Sequence, residues 1–281
     1  MTARVALVGT PLRRRHSEVM HNAAFSHFGI DARYELRPLE TGQLAAFFTE
    51  VRGPEWLGFQ VTAPYKRAVM SLVDEVEPEA WPIGAINSGI RTEQGRLVGF
   101  NTDGPGFARS VENDLELSLT GARVVIAGSG GAARAVVHAC LTGGAQLVYV
   151  GNRTPDHALG LKAEVDDVRL EAGGFDQDFD HALSRADLVV NATTVGMTAP
   201  GSPFEVGHLA DHARVLDLVY VPAATNLVIA ARARGLLAVN GIGMLVAQAA
   251  IAFERWTDVP NSDPVMRQAL EQLIQDPRAE A

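Results

Sequence analysis

The run Val124-Val125-Ile126-Ala127-Gly128-Ser129-Gly130-Gly131-Ala132-Ala133-Arg134-Ala135 decides the fold. Its apolar start, led by β-branched residues, ends in three glycines within four residues, and a helical pattern begins at once. Such a turn gathers backbone N–H groups and the positive end of a helix at one point, which suits a phosphate. Gly128 and Gly130, with Ala133 in the third place, nearly meet the Gly-x-Gly-x-x-Gly spacing of a dinucleotide-binding turn. Gly131 and the small Ser129 and Ala132 let backbone and ligand approach closely. Taken alone, the run also suits a tight turn in any α/β protein.

The flanking sequence alternates in the same way. Downstream, the patterns predict a helix over 131–142, a strand over 147–151 and a helix over 155–165. A weak strand near 169–172, a short helix near 178–184, strands at 187–191 and 215–219, a helix over 224–234 and a strand near 236–239 follow. Strands such as Leu147-Val148-Tyr149-Val150 are apolar throughout, as parallel strands buried on both faces should be. Upstream, strands are expected at 5–9, 34–36 and 56–61, helices at 17–29 and 42–51, and a further helix from about Lys66. A strand pair at 86–91 and 97–100 and a helix from Gly104 or Gly106 to about Leu117 lead into the glycine turn. After Gly241 the chain reads as helical, with Ile242, Leu245, Val246, Ala249 and Phe253 on one stripe, and the polar tail from Asp276 as frayed. Alternating β and α implies parallel sheets covered on both faces, so both halves are expected to be α/β. Gly104-Pro105-Gly106 marks the boundary. Residues 1–103 plus 241–281 are expected to form one domain, with the C-terminal helices returning to it, and 104–240 the nucleotide-binding domain.

The totals agree with a packed enzyme-sized chain. Its 281 residues suffice for two domains, and 47% of them are hydrophobic. A net charge of −9 argues against nucleic acid or an anionic membrane as the main partner. Cys140 stands alone, so no intrachain disulfide can form; a reducing compartment, the cytoplasm, fits, and its place in a helical apolar stripe suits a buried thiol. No run of about 18 apolar residues occurs, and with charge at Arg4 and no long apolar stretch near it no signal peptide is expected. No metal site is expected.

Three polar clusters stand at or near strand ends: Thr62-Ala63-Pro64-Tyr65-Lys66, Asn87-Ser88 and Asn101-Thr102-Asp103. Ligands in open α/β sheets bind beyond the carboxyl ends of strands. Lys66, Asn87 and Asp103, each read as following a strand, can therefore converge on one cleft, where a Lys and an Asp facing a nucleotide form a proton-handling pair. Each residue alone also suits a cap or turn.

At these residues the sequence resembles the shikimate dehydrogenases, over roughly residues 4–257. The shared stretches are Val61–Lys66, Gly84-Ala85-Ile86-Asn87-Ser88, Gly99-Phe100-Asn101-Thr102-Asp103-Gly104, Asn152-Arg153-Thr154, Asn191-Ala192-Thr193-Thr194-Val195-Gly196-Met197, Asp217-Leu218-Val219-Tyr220-Val221-Pro222 and Asn240–Gln248. The resemblance implies an N-terminal α/β substrate domain, a Rossmann-type doubly wound nucleotide domain, and reversible reduction of 3-dehydroshikimate to shikimate by a nicotinamide cofactor in aromatic amino acid biosynthesis. It makes Lys66 and Asp103 the catalytic pair. Thr62, Asn87, Tyr220 and Gln248 become substrate residues. Gly128, Ser129, Gly130, Gly131, Ala132, Asn152, Arg153, Thr154, Thr193, Met197 and Gly243 become cofactor residues. It leaves monomer and homodimer open.

The chain departs from the family where the substrate should sit. The family loop Pro-Ile-x-His-Ser-x-Ser-Pro-x-x-His-Asn is here Pro11-Leu12-Arg13-Arg14-Arg15-His16-Ser17-Glu18-Val19-Met20-His21-Asn22, and the Asn before Val-Thr is Gln60. Ser17 keeps the second serine's place; Arg15 replaces the first, and an Arg can grip a carboxylate in a bidentate fork. The competing reading leaves the three arginines solvated, with Glu18 pairing one of them at helical spacing. The changes point to altered substrate choice, such as quinate or an amino or deoxy analogue. The strand after the glycines ends in Asn152-Arg153-Thr154 with no acid for ribose hydroxyls, which favours NADP over NAD; Asp156 beside Arg153 keeps NAD in play. A nucleotide-binding regulator of the same family without turnover is the second reading.

Overall fold

The computed structural model describes residues 2–12 and 14–275; Arg13 and the tail from Asp276 lie outside the described residues. The chain divides into two compact units. Residues up to Thr102, with those from Val246 onward, form the first, and Asp103–Leu245 form the second.

The first unit is built on a six-stranded mixed sheet of β1 (Ala3–Gly9), β2 (Ala32–Pro38), β3 (Trp56–Val61), β4 (Glu75–Val76), β5 (Ser88–Arg91) and β6 (Leu97–Phe100). The strand order is β2-β1-β3-β5-β6-β4. β2, β1 and β3 run parallel, β5 runs antiparallel to both β3 and β6, and β4 is parallel to β6. Two helices come from the N-terminal part, α1 (His16–His27) and α2 (Leu44–Glu50). Leu44, Phe47, Phe48 and Val51 bury one stripe of α2 and its C-cap against Trp56, Phe59 and Val61. The rings of Phe48 and Phe59 meet edge-on at 4.8 Å, and burying each contributes roughly 1.5–3 kcal/mol.

One expected feature differs. No long helix follows Lys66: only a single 3-10 turn, Ala68–Ser71, forms before β4. That turn buries Val69 alone, and Asp74 then accepts the Leu97 N–H and pairs with Arg52, which fixes the chain as the extended edge of the sheet. The C-terminal helical region is two helices, α8 (Ile242–Thr257) and α9 (Asp263–Gln275), once the second unit's elements are counted. α8 stops at Thr257, directly before Asp258, which takes φ 57°, and Asn261 takes φ 62° ahead of α9.

The second unit is a six-stranded, all-parallel sheet. Its strands are β7 (Arg123–Ala127), β8 (Leu147–Gly151), β9 (Leu170–Gly173), β10 (Leu188–Asn191), β11 (Arg214–Asp217) and β12 (Ala238–Asn240), in the order β12-β11-β10-β7-β8-β9. Its helices are α3 (Asp103–Leu115), α4 (Gly131–Thr142), α5 (Pro155–Val165), α6 (Gln177–Leu183) and α7 (Asn226–Ala233), with the first residues of α8. α3 begins at Asp103 and absorbs Gly104-Pro105-Gly106 in its first turn, where a proline is tolerated because its missing N–H has no helical partner. One side of the sheet buries Val124, Ile126, Val148 and Val150 with Phe107, Val136, Cys140 and Leu161; the other buries Val125, Tyr149 and Val189 with Phe179, Leu227 and Val228. Burial pushes the Cys140 thiol far above its ordinary range, so it is an inert packing group. Numbered within this unit, the order is 3-2-1-4-5-6, the doubly wound nucleotide-binding arrangement, with its switch point between β7 and β10.

Candidate functional site

In the first unit the register brings several loops to one edge of the sheet. Val8 pairs with Val61, Gln60 with Ser88, and Ser88 with Phe100. The carboxyl ends of β1, β3 and β6 therefore share an edge with the start of β5. The chain leaves this edge at residues 10–12, as Thr62–Lys66 and as Asn101-Thr102, and enters it through Asn87. Asn87 thus precedes its strand rather than following one; the antiparallel course of β5 is what puts it beside the others.

Two of the expected residues, Asn87 and Gln248, form a buried, hydrogen-bonded set with Thr102 at its centre. The Thr102 backbone N–H donates to Asn87 Oδ1 (2.9 Å), Asn87 Nδ2 donates to Thr102 Oγ1 (3.0 Å), and Thr102 Oγ1 donates to Gln248 Oε1 (3.3 Å). Gln60 Nε2 reaches the same Gln248 oxygen at 3.5 Å and Ser88 Oγ at 3.2 Å, while Tyr34 donates to Gln60 Oε1 at 2.5 Å. Gln60, Asn87, Ser88, Thr102 and Gln248 are all buried. Behind them His21 stacks on Tyr34 at 4.5 Å, and burial drives its imidazole down to about 3, offset only in part by Gln60. Burial pushes the Tyr34 hydroxyl far above its ordinary range, against a hydrogen bond with Ser17.

Lys66 is half-buried and its carbonyl accepts the Ile86 N–H at 3.0 Å, which sets its backbone next to Asn87. Half-buried Thr62 donates its N–H to Val8 O at 2.9 Å, continuing the β1–β3 ladder by one residue. Arg15 is exposed at the N-cap of α1, and its Nε donates to Glu18 at 2.6 Å. That is the helical pairing weighed as the competing reading of the arginine run; an exposed pair of this kind contributes about 0.3–0.5 kcal/mol.

In the second unit the glycine turn stands at the switch point, beside the loop that follows β10. Gly128 has φ +104°, and a Cβ there would lie 3.0 Å from both Ala192 O and Thr193 Cγ2, so conformation and space both demand glycine. A Cβ added to Gly130 or Gly131 would meet nothing within 4 Å, and no side chain caps α4. The first-turn N–H groups of this 12-residue helix, with open space around them, fit a pyrophosphate. Asn152 Nδ2 holds Ser129 Oγ at 2.7 Å and its Oδ1 accepts the Thr154 N–H at 2.9 Å; Arg153 and Thr154 are exposed just beyond β8. Thr193 is held by Asn191 Oδ1 through both its N–H (3.0 Å) and its hydroxyl (2.7 Å), and Met197 is 37% exposed further along that loop. Half-buried Tyr220 follows β11. Gly243 is buried in α8, where a Cβ would collide with Asp114 and Ser110 of α3, so close helix packing already accounts for the missing side chain.

The sequence reading assigned no role to Asn191 and Asp217, which form the buried framework under these loops. Asn191 Nδ2 donates to Asp217 Oδ1 at 2.8 Å, and Asp217 also accepts from Thr225 Oγ1 (2.6 Å) and the Val219 N–H (3.0 Å). Burial raises the Asp217 carboxyl in spite of these three donors. A polar residue closing an apolar strand, as in Val189-Val190-Asn191 and Val215-Leu216-Asp217, was the available signal. Among the described residues no cluster of metal-ligating side chains occurs, and no helix is long and apolar enough to cross a membrane.

A doubly wound sheet with an open glycine turn at its switch point, joined to an α/β unit bearing clustered amide, hydroxyl and lysine groups at one sheet edge, defines a two-unit dinucleotide-binding protein. The chain belongs to the shikimate dehydrogenase family. Residues 7–88 match the family's substrate binding domain, 109–198 the shikimate/quinate 5-dehydrogenase model and 241–271 the shikimate 5'-dehydrogenase C-terminal domain. Shikimate dehydrogenase (NADP(+)) of Geobacillus kaustophilus is 39% identical over 253 residues, 89% of this chain and 91% of the relative. The shikimate 5-dehydrogenase of Thermus thermophilus, solved with NADP(H) and shikimate, superposes with a TM-score of 0.86 at 34% identity, covering 96% of this chain and 99% of that one. Quinate dehydrogenase of Corynebacterium glutamicum with NAD (TM-score 0.89, 31% identity) and ligand-free 5-ketofructose reductase of a Gluconobacter strain (0.89, 32%) are also similar, each covering 97% of this chain and 99% of theirs.

Proposed function

We propose that this protein is an NADP-dependent dehydrogenase that interconverts 3-dehydroshikimate and shikimate, with the unit up to Thr102 plus the C-terminal helices binding the acid and Asp103–Leu245 binding the nucleotide. The observation that carries this reading is the buried Asn87–Thr102–Gln248 set at the same sheet edge as Thr62 and Lys66. Thr62, Asn87, Gln248 and, from the loop after β11, Tyr220 hold the ring hydroxyls and carboxylate. Gly128 to Ala132 receive the pyrophosphate, and Asn152, Arg153, Thr154, Thr193, Met197 and Gly243 complete the nucleotide site. NADPH, when bound, supplies the hydride. As negative charge builds on the ketone oxygen, the Lys66 ammonium stabilises it and delivers the proton; in the reverse direction Lys66 takes the hydroxyl proton. Asp103 orients Lys66 and accepts from a substrate hydroxyl.

Ser17 and Arg15 flank the carboxylate in this reading, and engagement there means Arg15 exchanging Glu18 for the ligand. The Arg15–Glu18 pair and Gln60 also favour a second reading, a close cyclic hydroxy acid such as quinate as the preferred substrate. Nicotinamide absorbance during oxidation of shikimate and of quinate, each with NADP and with NAD, tests both. Turnover fastest with shikimate and NADP supports the first reading, faster turnover of quinate the second, and no turnover of either acid overturns both.

A further inference from the structure

We propose that Asp217 is a positioning residue of the nucleotide site: it anchors the Asn191 amide, which holds the loop after β10 so that the Thr193 methyl braces the first glycine of the phosphate turn. This rests on the proposed NADP-binding reading and gives roles to two residues outside its catalytic and binding set.

Each proton in this set is assigned by a partner that can only give or only take one. The Thr193 backbone N–H can only donate, so the Asn191 atom 3.0 Å away is its oxygen. The other end of that amide is then nitrogen, and both of its partners are acceptors: the Val195 carbonyl at 3.2 Å and Asp217 Oδ1 at 2.8 Å. The Val195 N–H donates to Thr193 Oγ1 at 3.1 Å, and the Thr193 hydroxyl proton goes to Asn191 Oδ1 at 2.7 Å. With its hydroxyl committed on both sides, Thr193 turns its methyl to Gly128. A Cβ added to Gly128 would stand 3.0 Å from that methyl and 3.0 Å from Ala192 O. The turn is open around Gly130 and Gly131 and is braced at Gly128.

Among the described residues the Asn191 amide has four contacts, and three of them sit in the loop that it holds: the Thr193 N–H, the Thr193 hydroxyl and the Val195 carbonyl. The fourth, Asp217, lies outside that loop and pairs with Asn191 from the neighbouring strand β11. Asp217 is therefore what fixes the amide, and the loop with it, to the sheet. It is fully buried and also accepts from the Val219 N–H at 3.0 Å and Thr225 Oγ1 at 2.6 Å. The Thr225 bond serves a different element, because Thr225 caps α7 by accepting the Val228 N–H at 3.3 Å.

The test uses the full-length protein, titration calorimetry with NADP, and the Thr193 methyl resonance, identified by its loss in Thr193→Ser. Asp217→Ala removes the anchor. It should weaken NADP binding about tenfold, the equivalent of one hydrogen bond to a charged group, and move the Thr193 methyl resonance. Asn191→Ala removes the middle link and should weaken NADP binding to a similar degree, which gives the same reading should Asp217→Ala fail to fold. Asp217→Asn can keep its oxygen towards Asn191 and Val219 and turn its nitrogen to Thr225 Oγ1, so NADP binding should return to within about twofold of wild type. Thr225→Val breaks the bond to Asp217 and the α7 cap but spares the Asn191 link. Its melting temperature should fall, while NADP binding stays within about twofold and the methyl resonance stays in place. Wild-type NADP binding in Asp217→Ala or Asn191→Ala overturns the proposal. So does a Thr225→Val protein that loses as much NADP affinity as Asp217→Ala, because Asp217 would then act through stability alone. Should the wild type bind no NADP, the functional reading falls alone, and the Thr193 methyl resonance in Asp217→Ala and Thr225→Val still decides the positioning role.

Discussion

Asn152 Nδ2 donates to Ser129 Oγ at 2.7 Å, fastening the end of β8 to the glycine turn that follows β7. The turn has few other side-chain ties, because glycine supplies three of its four positions from 128 to 131. Deleting this amide should leave the sheet intact and loosen the phosphate site. Asn152→Ala is expected to weaken NADP binding about fivefold, the equivalent of about 1 kcal/mol for one hydrogen bond, with the melting temperature of the ligand-free protein changed little. Titration calorimetry with NADP checks it.

Arg153 is exposed just beyond β8, where no acid is available for the ribose hydroxyls. A guanidinium in contact with a 2′-phosphate contributes about 1.5–3 kcal/mol, and a nucleotide lacking that phosphate gains none of it. Arg153→Ala should therefore raise KM for NADP about ten- to hundredfold and leave KM for NAD nearly unchanged. An unaltered NADP to NAD preference in steady-state kinetics would remove Arg153 from the phosphate site.

Lys66 carries the proton-handling role, and its removal should act on the chemical step. Lys66→Ala is expected to lower kcat by about 10²–10⁴-fold, the usual range for a positioned acid or base, with KM for shikimate within a few-fold. Initial rates with saturating NADP decide it, and near-normal kcat would exclude Lys66 as the proton donor.

The second unit was legible from its own residues because its signals are local. Apolar strands, the glycine turn and helical spacing fall within a few residues of each other, and α4 and α5 begin and end where those patterns do. Where tertiary contacts decide, the sequence was silent. The segment after Lys66 has enough helical spacing to suggest a helix, yet Asp74 reaches the Leu97 N–H and draws the chain onto the sheet edge. Asn87 lies at the site edge only because β5 is antiparallel, a fact of pairing with β3 and β6 rather than of its own neighbours. The contact between Gln60 and Gln248 joins residues 188 positions apart, so no motif announces it. Arg15 could be read as a ligand group or as half of a surface pair, and its Glu18 partner three residues on serves both readings.

His21 makes the first unit sensitive to acid. Its ring is buried between Tyr34 and Trp256, with centroids at 4.5 and 5.1 Å, and burial lowers its pKa from 6.5 to about 3. The folded state therefore holds the imidazole neutral throughout the mildly acid range, while the unfolded chain takes up a proton below its ordinary value. Above that value neither state is protonated and His21 costs nothing. As pH falls from 6.5 towards 3, the unfolded state gains about 1.4 kcal/mol per pH unit, and stability is lost. Going from about pH 7 to about pH 5 should cost about 2 kcal/mol through this residue alone. His21→Phe keeps a ring in the stack and removes the titration. In urea unfolding at the two pH values, the wild type should lose about 2 kcal/mol more than His21→Phe, and equal losses would mean that the imidazole is protonated within the fold.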